Sequence, residues 1–343
     1  MRIHQHFLSL IAWGAGSCFH LLHGGSLPPP PLPADNLPST VGIKLGHKLF
    51  YDQILSRGNF LACANCHMQE YAFADPRMMS VGVHGDLTAR TSMPLFNLAY
   101  ATQFFWDGRA PSLRAQALIP IEHKTEMDER LDNVIRKLNR RSPYPELFAA
   151  AFGEGGITPE RLGLALEQFM LTLVSDQAKY DQVQDGSARF SAPEQRGHDL
   201  FFAEKIPGQP GSGTSCTRCH KPPHFTTHGF ANNGIDPAHT DPGLEKVSRR
   251  KADRGKFKIP SLRNIGVTKH YMHNSRFETL QEVVEYYNSG VRPGPHLDPR
   301  MAVFEEGLGL SKQQQADLVG FLHSLTDHSF LNNPAHAEPK RGR

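Results

Sequence analysis

Tryptophan is the scarcest residue of this 343-residue chain, occurring only as Trp13 and Trp106. Trp13 lies in a leader-like N-terminus, so the folded part carries one indole, in the aromatic stretch FFWDGRA at 104–110. A strong charge of one sign is also lacking. The net charge is +3, and no basic run is interleaved with aromatics outside the tail KRGR at 340–343, so the nucleic-acid footprint is missing. Long hydrophobic runs are lacking too: the apolar stretch at 8–19 is too short to cross a bilayer. No succession of alternating strand patterns is present. Cysteine is sparse, and five cysteines in so long a chain exclude a small disulfide scaffold.

What is present begins with a signal-like leader: an early Arg2, an apolar middle, and the small residues Ala15, Gly16 and Ser17. Cys18 follows them. Ala15 stands where a larger aliphatic is usual for lipid attachment, so a cysteine removed with the leader is the preferred reading. The prolines from Pro28 to Pro33 predict an extended, solvated spacer. Two echoes come next. GHKLF at 46–50 precedes CANCH at 63–67, and GHDLF at 197–201 precedes CTRCH at 216–220. The echo predicts two related units, an N-terminal one over 36–188 and a C-terminal one over 189–332, flanked by the leader and linker at 1–35 and a tail at 333–343. The fold class is all-α. Thr158 with Pro159 opens a run to about Val174, and Thr279 with Glu282, and Ser311 with Gln314, make capping boxes. ERLDNVIRKLNR is a further helix, and 203–215 and 221–260 read as long loops.

The two CxxCH frames carry the chemistry. Paired thiols add to the vinyl groups of a haem, and the next histidine reaches its iron. The bland alternative is a zinc site made of both CxxC pairs. The histidine after each second cysteine favours two covalently bound c-type haems, attached at Cys63, Cys66, Cys216 and Cys219, with His67 and His220 as proximal ligands.

The blocks IKLGHKLFYDQILS, CANCHMQEYAFAD, ARTSMPLFNLAY, FFWDGRAPSLRAQALIPIEHKTEM, FKIPSLRNIGVTKHYMHNSRFETLQEVVEYYNSG and LVGFLHSLTD resemble, in order, the bacterial di-haem cytochrome c peroxidase/MauG family. The resemblance implies two cytochrome-c-like haem domains with a peroxidatic haem in the N-terminal one. It implies that Trp106 lies between the haems. Gln116 and Glu126, ten and twenty residues past Trp106, would line the distal pocket, with Pro120 between them. A partly buried carboxylate can take and return the proton that peroxide cleavage requires, and an amide can orient the peroxide. Haem attachment in the family takes place outside the cytoplasmic membrane, which agrees with a leader and a periplasmic location.

The second axial ligand of the C-terminal haem stays open. A methionine serves in the peroxidase branch and a tyrosine in the MauG branch; Tyr287 holds the matching place, with Tyr286 and Met272 as rivals. A gating histidine aligns with Val83, one residue from His84. The family's calcium position aligns with Thr91, Thr268 and His270. Asp107 and Arg109 read as a structural turn with an ion pair or a propionate contact, and His123, His224, His228 and His239 as surface or loop residues. The implied reaction is reduction of hydrogen peroxide to water by a small cytochrome c or cupredoxin, entering at the His220 haem. The rivals are a MauG-like enzyme that oxidises residues of a partner protein and a non-catalytic electron-transfer cytochrome. The oligomeric state is open, a homodimer included.

Overall fold

The computed structural model describes residues 27–236 and 240–339. The leader with Trp13 and Cys18, His239, and the tail KRGR lie outside the described residues.

Helices form where the cap residues predict them. The first half contains α1 (Thr40–Tyr51), α2 (Leu113–Glu122), α3 (Leu131–Asn139), α4 (Tyr144–Phe152), α5 (Pro159–Met170) and α6 (Lys179–Gln184). The second contains α7 (Ala192–Phe202), α8 (Glu245–Ser248), α9 (Leu280–Asn288), α10 (Lys312–His323) and α11 (His328–Leu331). Thr158 caps α5, and the two capping boxes close on the first turns of α9 and α10. α5 ends at Met170, short of the expected Val174. There the Thr172 hydroxyl donates to the Phe169 carbonyl, and tighter backbone bonds replace the helical ladder. The supposed loop at 221–260 holds α8 and two short strands, β1 (Phe230–Ala231) and β2 (Phe257–Lys258), paired antiparallel.

The sequence echo is a packing echo. Gly46 places α1 against α5, and Gly197 places α7 against α10. A Cβ on Gly46 would collide with the Ala165 carbonyl and lie 2.9 Å from Phe169 Cβ. A Cβ on Gly197 would collide with the Asp317 carbonyl and lie 2.9 Å from Phe321 Cβ. Only glycine lets two helix backbones approach this closely.

Two buried apolar clusters result, one around Leu45, Leu49, Phe73 and Phe169, the other around Phe201, Phe225, Leu318 and Phe321. Their membership does not switch at residue 188. Tyr180 joins the second cluster, whereas Phe330 and Leu331 of α11 return to the first. The proline stretch also departs from a free spacer. Leu27 and Pro30 are buried, and the Pro28 carbonyl accepts from the Tyr100 hydroxyl. Just beyond, Asn36 is pinned to Glu167 at 2.7 Å and to Gln168 at 2.7 Å.

Candidate functional site: two cofactor cavities

Each CxxCH frame lines its own cavity. Cavity 1 is bounded by Cys63, Cys66 and His67 together with Gln116, Pro120 and Glu126. Cavity 2 is bounded by Cys216, Cys219 and His220 together with Trp106, Met272 and Tyr287. A zinc site shared by both CxxC pairs is thereby excluded, since its four thiolates would have to meet at one point.

The local geometry prepares each frame for a haem. A short turn at 63–65 brings Cys63 and Cys66 to one side, and Asn65 Oδ1 accepts the Ala62 N–H at 2.7 Å. His67 Nδ1 lies 2.7 Å from the Phe73 carbonyl, and His220 Nδ1 lies 3.2 Å from the Phe225 carbonyl. A carbonyl only accepts, so both rings carry their proton on Nδ1 and keep the Nε2 lone pair for a metal. Burial lowers the basicity of both, for His220 to a pKa of about 4, so both are neutral. Burial pushes the Cys63 thiol to about 12 and Cys216 to about 11. The four cysteines are free. Two thiols and a neutral imidazole on the wall of each cavity are the donor set that a covalently bound haem requires.

In cavity 1, Gln116 Oε1 is buried without a hydrogen-bond partner, which leaves a polar atom for a ligand to satisfy. Glu126 has its pKa raised by burial, against the opposing charges of His123 and Arg109. His123 Nδ1 lies 3.3 Å from Glu126 Oε1. The sequence reads this histidine as a bystander in a loop, and its i,i+3 spacing from Glu126 within a turn is the signal that reading overlooks. His84 points out of the cavity and lies 2.8 Å from Asp128. Val83 is tied to the Glu126 turn through its backbone, Val83 N–H donating to the Glu126 carbonyl at 2.8 Å. His67 is the one imidazole among the residues lining cavity 1.

Trp106 lies on the wall of cavity 2. Its ring lines cavity 2, and its Nε1–H donates at 2.8 Å to the carbonyl of Thr91, whose neighbour Ser92 lines cavity 1. Its own carbonyl accepts from Lys258 N–H of β2 at 2.8 Å. Asp107 and Arg109 form an ion pair with each other. Asp107 lies 2.7 Å from Arg90 and 3.0 Å from Arg109. Arg90 also grips Asp241 of the second half at 2.7 and 2.8 Å. Gly108 has φ +72°, and a Cβ there would meet the Phe230 ring of β1 at 2.6 Å.

Tyr287 and Met272 both reach cavity 2, and Tyr286 does not: its hydroxyl donates to the Asn233 carbonyl at 2.8 Å. The Asn233 amide nitrogen sits 3.4 Å from Tyr287 Oη and 3.5 Å from Met272 Sδ. The two rival ligand atoms therefore share one hydrogen-bond donor. Asn233 is invisible in the sequence, since it lies in a stretch with no periodicity. His273 escapes sequence reasoning in the same way. Its ring stacks on Phe257 at 3.5 Å and 13° and stands 6.4 Å from Trp106. His224 and His228 are half-buried, lie 5.6 Å apart and line neither cavity.

Known proteins resemble this chain along most of its length. The sequence profile of the di-haem cytochrome c peroxidase family matches residues 40–189. The methylamine utilization protein MauG of Methylorubrum extorquens is 36% identical, across 86% of this chain and 81% of its own length. The chain belongs to the di-haem cytochrome c peroxidase/MauG family. Both branches are represented among its relatives. Cytochrome-c peroxidase IdrP1 of Denitromonas iodatirespirans is 32% identical over 92% of this chain and 89% of its own. The crystal structure of a MauG-like protein associated with microbial copper homeostasis superposes with a TM-score of 0.82 at 31% identity, covering 92% of this chain and 97% of that one.

Membership of this di-haem family implies two c-type haems, and the cavities fit them. The calcium expected at Thr91, Thr268 and His270 would be held by oxygens, at His270 by the backbone carbonyl. Calcium takes about six to eight oxygen donors. The Thr91 hydroxyl is engaged 2.7 Å from Ser275 Oγ and 3.2 Å from the Met272 carbonyl, and the Thr268 carbonyl accepts the Tyr271 hydroxyl at 2.9 Å. Thr91 joins the halves by hydrogen bonds.

Proposed function

We propose that this protein is a periplasmic peroxidase that reduces hydrogen peroxide to two waters, consuming two electrons and two protons. The observation that carries the reading is the convergence of Gln116 and Glu126 on the cavity of Cys63, Cys66 and His67, while Trp106 lines the other. Haem, held by Cys63, Cys66 and His67 in cavity 1 and by Cys216, Cys219 and His220 in cavity 2, supplies the one-electron redox chemistry that side chains lack. Gln116 orients peroxide by its amide. Glu126 takes a proton from the inner oxygen and returns one to the departing oxygen, a shuttle that its raised pKa favours. Trp106 carries electrons between the cavities, because indole is far easier to oxidise than the phenyl rings around it. A small cytochrome c or cupredoxin delivers electrons on the side of cavity 2. The segments 36–188 and 189–332 are read as the peroxidatic and electron-entry domains. The haem-loaded protein is expected to oxidise a reduced cytochrome c or cupredoxin only when peroxide is added; no peroxide-dependent oxidation would refute the reading.

Tyr287 in cavity 2, together with MauG relatives, supports a second reading, in which peroxide drives oxidation of residues on a partner protein. Peroxide added to the fully oxidised protein separates the two. An immediate, long-lived optical change favours the second reading, and inertness until one electron is supplied favours the first.

A further inference from the structure

The segment EKVSRRKADRGKFK at 245–258 holds seven lysines and arginines against two carboxylates, in a chain whose whole net charge is +3. The rest of the molecule is therefore net acidic, and positive charge is concentrated on one short excursion. Internal pairing accounts for part of it. Asp253 takes Arg250 at 2.8 Å and Lys256 at 3.1 Å, and Glu245 takes Arg254 at 3.1 Å. Lys258 turns inward to the Gln103 carbonyl at 2.7 Å. Lys246, Arg249 and Lys251 are exposed and make no ion pair among the described residues. Val247, between Lys246 and Arg249 in the chain, is a large apolar side chain left 40% exposed. The excursion is well held, with Leu244 N–H donating to the Lys256 carbonyl at 2.8 Å and Gly255 N–H to the Pro242 carbonyl at 3.0 Å.

Its position matters as much as its charge. The segment ends in β2, whose Phe257 and Lys258 line cavity 2. The Lys258 N–H bonds the Trp106 carbonyl. A partner seated on Lys246, Arg249 and Lys251 stands at the start of the chain segment that leads directly to cavity 2 and to Trp106.

We propose that the face formed by Lys246, Val247, Arg249 and Lys251 is the docking surface for an acidic electron-transfer protein. The proposal rests on cavity 2 being the electron-entry side. A compact cationic face steers an anionic partner and raises its association rate by about 10- to 1000-fold at low salt. A small apolar centre gives contact without a lasting complex, which suits a donor that must leave after each electron.

The test uses the full-length protein carrying both haems and a triple variant, Lys246→Glu with Arg249→Glu and Lys251→Glu. A control variant reverses Arg130, Arg136 and Arg140 around α3. Unchanged haem absorption and circular dichroism establish that each is folded. The probes are a reduced acidic cupredoxin and a reduced basic cytochrome c, read by stopped-flow oxidation and by chemical-shift titration of the isotopically labelled cupredoxin. Expected for the wild type and the control is fast reaction with the cupredoxin, falling at least tenfold as ionic strength rises from about 0.01 to 0.15 M and the screening length shortens from about 30 to 8 Å. The triple variant should lose at least tenfold in rate, the salt dependence and the shift perturbations. Equal rates for wild type and triple variant overturn the proposal. So does preference of the wild type for the basic cytochrome, or binding of this face to anionic phosphatidylglycerol vesicles without cupredoxin binding. Peroxide turnover by the wild type with ascorbate as reductant is measured separately. Its absence refutes the peroxidase reading, while the shift titration still reports on docking.

Discussion

Trp106 is held at both ends, by its Nε1–H to Thr91 and by its carbonyl to Lys258. Trp106→Phe removes one hydrogen bond, worth about 1 kcal/mol, and leaves most of the apolar contact. It should therefore keep both haems and both spectra while slowing inter-haem electron transfer and turnover; turnover equal to wild type would make the indole mere packing. Glu126 makes a different prediction. Burial raises its pKa, so its acid form persists to higher pH than that of an ordinary glutamate. The pH profile of kcat/KM should carry a limb above the usual carboxylate value of 4.5. Glu126→Gln should abolish that limb and lower turnover by roughly 10²- to 10⁴-fold. A third prediction concerns Asn233, which donates to both Tyr287 and Met272. Asn233→Leu frees both atoms from that donor. Electron paramagnetic resonance of the oxidised protein should show a change in the signal of the His220 site, with the His67 site unaltered. Tyr287→Phe should alter the same signal if the phenol is the ligand, and Met272→Leu if the thioether is.

At the scale of elements, Gly46 and Gly197 do equivalent work in the two halves. Gly46→Ala and Gly197→Ala each force apart a helix crossing that has no room for a methyl group. Overpacking of this kind costs about 1–3 kcal/mol. Thermal unfolding followed at each haem's absorption should lose the His67 site first in Gly46→Ala and the His220 site first in Gly197→Ala. The helices are legible in the sequence because their signals are local: Thr158 before Pro159, Thr279 with Glu282, Ser311 with Gln314. The echo of GHKLF and GHDLF is legible as repetition, though not as a backbone contact, because the partner helices lie more than a hundred residues away. Cavity 1 is largely legible too, since Gln116, Pro120 and Glu126 lie close together in a recognisable block. Asn233, His273 and the strand at Phe257 are not. Asn233 and the strand at Phe257 belong to a stretch whose placement depends on long-range bonds, such as Asn232 to the Arg254 carbonyl at 3.3 Å and Arg90 to Asp241, and His273 is fixed by its stacking on Phe257. The departure of the 28–33 prolines from a free spacer has the same origin, since the Tyr100 hydroxyl that holds them is about seventy residues away.

The whole molecule is tied together by contacts that cross its halves, and the short helix α11 is the clearest of them. It belongs to the C-terminal end of the chain, yet Phe330 is 2% exposed within the first core. Its ring lies 5.8 Å from that of Phe73, whose carbonyl accepts the Nδ1 proton of His67. Phe330 therefore supports the residue that orients a candidate proximal ligand in the opposite half. Phe330→Ala opens a void under Phe73 and should cost about 3–5 kcal/mol. Because the void lies on the cavity 1 side, it should also loosen the ring of His67 and leave that of His220 alone. Paramagnetic resonance of the oxidised variant checks this directly. A shifted or broadened signal from the His67 site beside an unchanged His220 signal is expected. Equal disturbance of both signals would mean that α11 stabilises the molecule as a whole and has no particular hold on the N-terminal site.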